Sequence, residues 1–585
     1  MPLSHTLNAL RRWVRGGLPT WHHPDFRIPL TALAARTEVE PRRADLALWY
    51  LRDARVIHRE DLRTPHPISW SDLARIHPEP FLETLTDPAV LSRIFSVQAH
   101  ALPVDEVLHT VRLACGATLA AARAAVERQG PTLNLLGGFH HAGRRRAGGF
   151  CAVNDIAVAI ATLRSEGFTG SVSVLDLDVH PPDGTADCLA ESDVWLGSLS
   201  GADWGALPAH VDETVLPEGT TDTAYLSALD ALLSRMPRSD LTVVIAGGDP
   251  WEHDALGPLA VTESGLRLRD LRVSAVLSGR ASVWLPGGSY GPGSWRPLAG
   301  TALAVALQSR ATIPRVDPMH TRFARLSSQL GDEELGQEPW LTEADLLEVL
   351  RVPGGDTTQK LLGFYTAQGV ELALHRFGML DPVQRLGYSH LQVTLDRAAS
   401  GERLKLTGYA RDETHLLVEC VLERRSLEQA PEAGPVLFVH WLNLRHPIAG
   451  FTKNRPALPG QDAPGLGMAR EAGELLTRMA ERLDLDVVAL RPSWYHVAWA
   501  ARYRYRFINP QRQGRFEALS RDLHDIPLGR LTQAIADGAV CMDDAPYTWE
   551  ADEMAHWLRE DPRGEDWEAA RASEKELRRF TLTEA

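Results

Sequence analysis

At 585 residues the chain is too long for one ordinary hydrophobic core, so at least two domains are expected. Apolar residues make up 44% of it, the share of a globular protein, and with no run of about 18 apolar residues no membrane-spanning helix is expected. The formal net charge of −15 argues against a general nucleic-acid binder.

Near the N-terminus Arg11, Arg12 and Arg15 are followed by no apolar block, which argues against a secretory signal. Cys115, Cys151, Cys188, Cys420 and Cys541 are scattered and odd in number, so neither a disulfide framework nor a cysteine zinc knuckle is expected. A reducing, cytoplasmic location fits that usage. Lysine occurs only at 360, 405, 453 and 575, with arginine supplying the other cations.

The alanine-rich stretch Val107 to Glu127 carries Val111, Ala114, Leu119, Ala122 and Ala125 at helical spacing and predicts a packed helix. Asp155 to Glu166 predicts another. Apolar runs near 132–136, 172–177, 241–246 and 282–285 alternate with helices. That pattern predicts an α/β unit, a parallel sheet with helices on both faces. In such sheets the chemistry sits beyond the carboxyl ends of the strands. Each polar motif of this half follows one of those apolar runs. His22, His23 and His77 lie beside prolines and read as turn chemistry.

The centre of the pattern is Asp176-Leu177-Asp178-Val179-His180. Strand alternation would put Asp176, Asp178 and His180 on one face. Three such groups are costly to bury without a cation or partners. Asp plus His with an open position suits a catalytic divalent metal, zinc first. Around this segment stand Gly137-Gly138-Phe139-His140-His141-Ala142, Gly148-Gly149-Phe150-Cys151 with Asn154-Asp155, Gly247-Gly248-Asp249 and Pro286-Gly287-Gly288-Ser289-Tyr290-Gly291.

In that order and spacing the motifs resemble the zinc-dependent histone deacetylase family of the arginase–deacetylase fold, over about Trp21 to Leu307. The resemblance implies an amidohydrolase acting on acetyl-lysine in protein or on an acetylated small amine such as an acetylpolyamine. It implies Asp178, His180 and Asp249 as ligands of zinc or ferrous iron. His141 becomes the general base and His140 its electrostatic partner, with Asp183 and Asp176 as their acidic companions. Tyr290 becomes the oxyanion donor. Gly149 and Phe150 form the substrate channel, with Trp204 or Trp251 as the second aromatic wall. A potassium site maps to Asp176, Asp178, His180, Ser198 and Leu199. Arginase chemistry is disfavoured, because its two-metal Asp-x-His-x-Asp pattern meets Pro182 here.

Pro182 also stands where the family usually has glycine. Proline removes a backbone donor and fixes φ. If that glycine serves for positive φ, the loop re-forms and Asp183 is displaced. The chain would then be a catalytically impaired, deacetylase-like binding protein.

Residues 311–340 read as a linker with some helix, dividing a catalytic domain at 1–310 from a second domain at 341–585. In the second, Gln359 to Phe377 looks helical, and His390–Leu395, Leu404–Ala410 and Leu416–Arg424 look like antiparallel strands. Val436–Leu444 is a further strand. Gly465-Leu466-Gly467 opens a helix from Met468 to Leu483, before a strand at Val487–Arg491. This α+β order resembles the GNAT acetyltransferase fold. The resemblance implies acyl-CoA, such as acetyl-CoA, at Gly465 and Gly467, with Tyr503 as the acid. A bifunctional deacetylase and acetyltransferase is the alternative it raises.

Overall fold

The computed structural model describes residues 6–8, 11–12, 15–27, 39–97, 103–201, 207–336, 360–451, 457–559 and 561–583. The chain divides into two compact units, Met1–Pro318 and Met319–Ala585.

The first unit is built on eight strands: β1 (Thr20–Trp21), β2 (Leu62–Arg63), β3 (Pro131–Asn134), β4 (Val172–Asp176), β5 (Trp195–Ser200), β6 (Val211–Val215), β7 (Leu241–Ile245) and β8 (Ser282–Leu285). They form one sheet in the order β2-β1-β3-β8-β7-β4-β5-β6, and every neighbouring pair is parallel. Strands β4, β7 and β8 are buried along their whole length. A strand covered on both faces has no polar side to show, which is why these segments read as unbroken apolar runs.

The helices are α1 (Arg43–Asp53), α2 (Val104–Arg128), α3 (Asp155–Ser165), α4 (Asp183–Leu189), α5 (Asp222–Arg235), α6 (Glu263–Val276) and α7 (Trp295–Leu307). They cover both faces of the sheet. In α2, Val107, Val111, Ala114, Thr118 and Ala125 form the buried stripe against β3 and β8. Asn154 caps α3 by accepting from the Ala157 amide. No described helix is long and apolar enough to cross a membrane.

One local expectation fails. Strand β4 ends at Asp176, so Asp178 and His180 do not sit on a strand face. The Asp178 amide donates to Asp176 Oδ1 at 3.1 Å, and the His180 amide to Asp178 Oδ1 at 3.0 Å. Each carboxylate turns the chain two residues on, as Asp side chains do in turns. Bending, not pleat alternation, gathers these side chains.

In the second unit, helices α8 (Pro318–Ser328) and α9 (Asp332–Gly336) occupy part of the stretch read as a linker. Then come α10 (Ala367–Phe377), α11 (Leu380–Arg385), β9 (Ser389–Ala398), β10 (Gly401–Ala410), β11 (Glu413–Ser426) and β12 (Pro435–Leu444). They are followed by α12 (Ala469–Arg482), β13 (Val487–Leu490), α13 (Tyr495–Ala501), β14 (Arg506–Phe507), β15 (Val540–Met542), β16 (Ala545–Pro546), β17 (Met554–Trp557) and β18 (Phe580–Leu582). Seven strands make a mixed sheet, β14-β17-β13-β12-β11-β10-β9. Strands β12 and β13 are its one parallel pair, and α12 is the crossover between them. A small sheet, β16-β15-β18, lies apart.

Candidate active site

The polar motifs converge beyond the carboxyl ends of β3, β8, β7 and β4, which are adjacent in the sheet. The imidazole of His180 and the carboxylates of Asp178 and Asp249 bring one ligand atom each within 4.8 Å of one another. His180 Nδ1 lies 3.1 Å from Asp178 Oδ1 and 3.0 Å from Asp249 Oδ2. Both carboxylates are fully buried. Burial works against the charge on His180, but its bonds to the two carboxylates win and push it up to about 11. Burial and the neighbouring Asp178 push Asp249 up to about 8. Two buried anions and one imidazole form a set that a cation satisfies better than a proton does, and proton and metal compete for it.

Glycines hold this set closely. The Gly288 amide donates to Asp178 Oδ2 at 2.6 Å, and a Cβ on Gly288 would come within 2.6 Å of Asp249 Oδ2. The Val179 amide donates to Asp249 Oδ1 at 3.0 Å.

Beside the three acids and bases stand two histidine–aspartate pairs. His140 Nδ1 donates to Asp176 Oδ2 at 2.9 Å, and His141 Nδ1 to Asp183 Oδ1 at 2.8 Å. Burial opposes charge on His140, but the carboxylates of Asp176 and Asp178 outweigh it and raise it to about 9. His141 is lowered to about 4, by burial first and then by repulsion from His140. Adjacent residues thus have opposite tendencies, one cationic and one neutral at pH 7, the split expected of an acid and base pair. Asp183 also accepts from Arg146 at 2.6 Å. Burial disfavours its charge, yet the bonds from His141 and Arg146 hold it at about 2.

Pro182 does not disturb this. Its φ of −77° is where proline is at home, and Asp183 directly follows it as the first residue of α4. The displacement of Asp183 that a lost positive φ would cause is absent.

A cavity of about 90 Å³ is lined by His140, His141, Phe150, Asp178, His180 and Tyr290, among others. The Phe150 and Tyr290 rings are 5.7 Å apart. Burial, then the charges of Asp178 and Asp249, push the Tyr290 hydroxyl well above its ordinary value, so it stays a proton donor. Gly149 has a φ of +54°, and a Cβ there would strike the His141 ring at 2.4 Å. Trp251 is buried against His253 and is not part of the cavity wall. Trp204 lies outside the described residues. Ser198 pairs in register with Asp176, and its fully buried hydroxyl makes no hydrogen bond among the described residues. Leu199 is buried next to it.

Sequence reasoning assigned no role to several residues that build this site. Arg43, on α1, lines the cavity and donates to the Gly287 and Ser289 carbonyls at 2.9 and 3.4 Å. Asp155 accepts the Gly138 and Phe139 amides at 3.0 and 2.7 Å and fixes the loop ahead of His140. Asp254 accepts the Tyr290 amide at 2.6 Å. Arg269, fully buried, donates to the Gly247 carbonyl at 2.5 Å and pairs with Asp270. His77 departs from its reading as turn chemistry. It is fully buried, accepts the Asn154 amide at 2.9 Å and donates to the Arg144 carbonyl at 3.3 Å.

In the second unit Gly465 precedes α12 and Gly467 has a φ of +73°. Tyr503 is 78% exposed, with Arg502 stacked on its ring.

A sequence profile of the histone deacetylase domain matches residues 37–305. Histone deacetylase 2 of Arabidopsis thaliana is 32% identical over 253 residues, which cover 40% of this chain and 65% of that one. The match therefore spans just under two thirds of the plant protein's length. An uncharacterized protein of Picosynechococcus is 30% identical over 290 residues, covering 47% of this chain and 92% of its own. The acetylpolyamine amidohydrolase of Burkholderia pseudomallei is 30% identical over 243 residues, covering 37% of this chain and 68% of its own. Through its first unit, the chain belongs to the histone deacetylase family.

Proposed function

We propose that the first unit is a metal-dependent hydrolase that removes acetyl groups from amines, acting on acetyl-lysine or on acetylated polyamines. One observation carries the reading: Asp178 and His180 line the same cavity as His141 and Tyr290, with Asp249 completing the ligand set. Relatives named a histone deacetylase and an acetylpolyamine amidohydrolase support the two substrate classes.

Asp178, His180 and Asp249 would hold the ion, zinc or ferrous iron, since buried carboxylate and imidazole donors suit both. When bound, such an ion polarises the amide carbonyl and makes water more acidic. The chain's own residues do the remainder. Asp183 holds His141 in the tautomer with its proton on Nδ1, so Nε2 takes the proton of the attacking water. His140, cationic through Asp176, stabilises the negative charge that develops and has a proton for the leaving amine. Tyr290 donates its hydroxyl to the oxyanion. Gly149 and Phe150 wall the acyl-amine channel, with Trp204 assigned to the opposite side. Asp176, Asp178, His180, Ser198 and Leu199 would hold potassium. The buried hydroxyl of Ser198 beside Asp176 supports that. Five unpaired cysteines support a cytoplasmic protein.

The test is acetate release from an acetyl-lysine peptide and from N-acetylputrescine by the purified full chain. Activity should vanish with a chelator and return with zinc or ferrous ion. Intact protein that retains no divalent metal and releases acetate from neither amide would sink the proposal.

A second reading concerns the second unit. The single parallel pair β12 and β13, joined by α12 after Gly465-Leu466-Gly467, supports a GNAT-like scaffold that binds acetyl-CoA. The chain would then be bifunctional. Calorimetry of acetyl-CoA against the full chain that gives no heat would remove this reading.

A further inference from the structure

The two histidine–aspartate pairs beside Asp178, His180 and Asp249 are built differently. His140 and Asp176 are both sealed, with side chains 4% and 0% exposed, and Asp176 accepts the Asp178 amide on its other oxygen at 3.1 Å. The side chain of His141 is nearly as buried, but that of Asp183 is 29% exposed. Asp183 opens α4, and Pro182 before it offers no side-chain cap. A carboxylate in that place can swing to water or toward the amides that begin the helix. Burial alone therefore does not aim it at His141. Arg146 supplies the second hold: its Nη1 donates to Asp183 Oδ2 at 2.6 Å, while Asp183 Oδ1 accepts from His141.

Exposed ion pairs usually contribute little, because holding two long side chains in one geometry costs entropy. The segment that carries Arg146 is pinned, which lowers that cost. The Arg144 amide donates to Asp187 Oδ2 at 2.8 Å, and the Arg144 carbonyl accepts from His77 Nδ1 at 3.3 Å. His77 is fully buried and accepts the Asn154 amide. Asp183 and Asp187 are four residues apart, so they share one face of α4, and the segment is fastened to both. Gly143 permits the approach, since a Cβ there would fall 2.4 Å from Asp187 Oδ2. Arg146 does not line the cavity, so its route to the chemistry runs through Asp183.

We propose that Arg146 is a positioning residue: it fixes Asp183 so that the His141 ring keeps the orientation and tautomer that leave Nε2 free for water. The role rests on His141 being the general base of the hydrolase.

The experiment uses the full chain and whichever of the acetyl-lysine peptide and N-acetylputrescine it hydrolyses. Arg146→Met should lower kcat about fivefold and leave KM unchanged. Arg146→Lys keeps a charged donor and should recover most of the rate. In an Asp183→Asn background, Arg146→Met should cost nothing further, because the carboxylate it acts through is gone. A second readout needs no turnover. The Nδ1 proton between His141 and Asp183 is a downfield resonance that Asp183→Asn removes. It should exchange with solvent several times faster in Arg146→Met, while the proton between His140 and Asp176 exchanges as before. An unchanged kcat in Arg146→Met overturns the proposal. So does a loss that persists at full size in the Asp183→Asn background, or one confined to KM, which would make Arg146 a substrate contact. If neither amide is hydrolysed, the hydrolase reading fails by itself, and the His141 proton decides the positioning: unchanged exchange overturns it.

Discussion

The cavities of the two units concentrate opposite chemistries. The first buries charge: Asp176, Asp178 and Asp249 are fully buried within a few ångströms of three histidines, and each has a bonded partner. The second, around its cavity, buries hydrocarbon almost alone. Buried charge has to be compensated group by group, so its arrangement specifies a reaction. Buried hydrocarbon specifies only the size and apolarity of what fits.

The strongest way to break this contrast is Asp249→Asn. It should remove bound metal and lower kcat about ten-thousandfold while the thermal unfolding of the second unit is unchanged. Metal analysis, turnover and thermal shift read the three quantities on one preparation. Equal losses in both units would show that the substitution acts through global unfolding. His141→Ala should lower kcat about a thousandfold and leave bound metal near its original content. A variant that loses its metal instead would make His141 a ligand rather than a base. Tyr290→Phe should cost about a hundredfold in kcat with little change in KM, the signature of a donor used only in the transition state.

The smallest effect on turnover sharpens the contrast through pH. His77 is pushed by burial from 6.5 to about 4. Between those values the unfolded chain binds a proton that the folded unit resists, so stability is lost as pH falls through that window. The loss from this residue should approach about 3 kcal/mol at pH 4. Urea unfolding of the full chain at pH 7, 5.5 and 4.5 would show it. His77→Gln should flatten the dependence of the first unit's transition. An unchanged slope would mean that other groups carry the acid lability.

The sequence revealed elements wherever one segment carried its own signal. The apolar runs of β3, β4, β7 and β8, the spacing in α2 and the meander from β9 to β12 were all legible. So was the order of glycine, histidine and aspartate motifs, because each sits at a strand end. What escaped depended on distant partners. Arg43 means nothing until Gly287 and Ser289 come to it, and His77 reads as a turn residue until Asn154 lies against it. The curl through Asp178 and His180 continued an apolar–polar alternation, so pattern alone extended the strand too far. Proline at 182 looked disruptive because sequence identifies the residue but not the local φ. A void is less legible still, since Leu406, Phe377 and Met479 look the same whether or not they touch.

Strand β8 is the last of its sheet to be made, yet it lies in the middle, between β3 and β7. A nascent chain lacking it has two halves of a sheet with raw facing edges and lacks Tyr290. The cavity that joins Asp178 and His180 to Tyr290 therefore assembles after translation of about half the protein, when one late strand closes the gap. A chain stalled before Ser282 should aggregate through its open edges rather than accumulate as a partly folded unit.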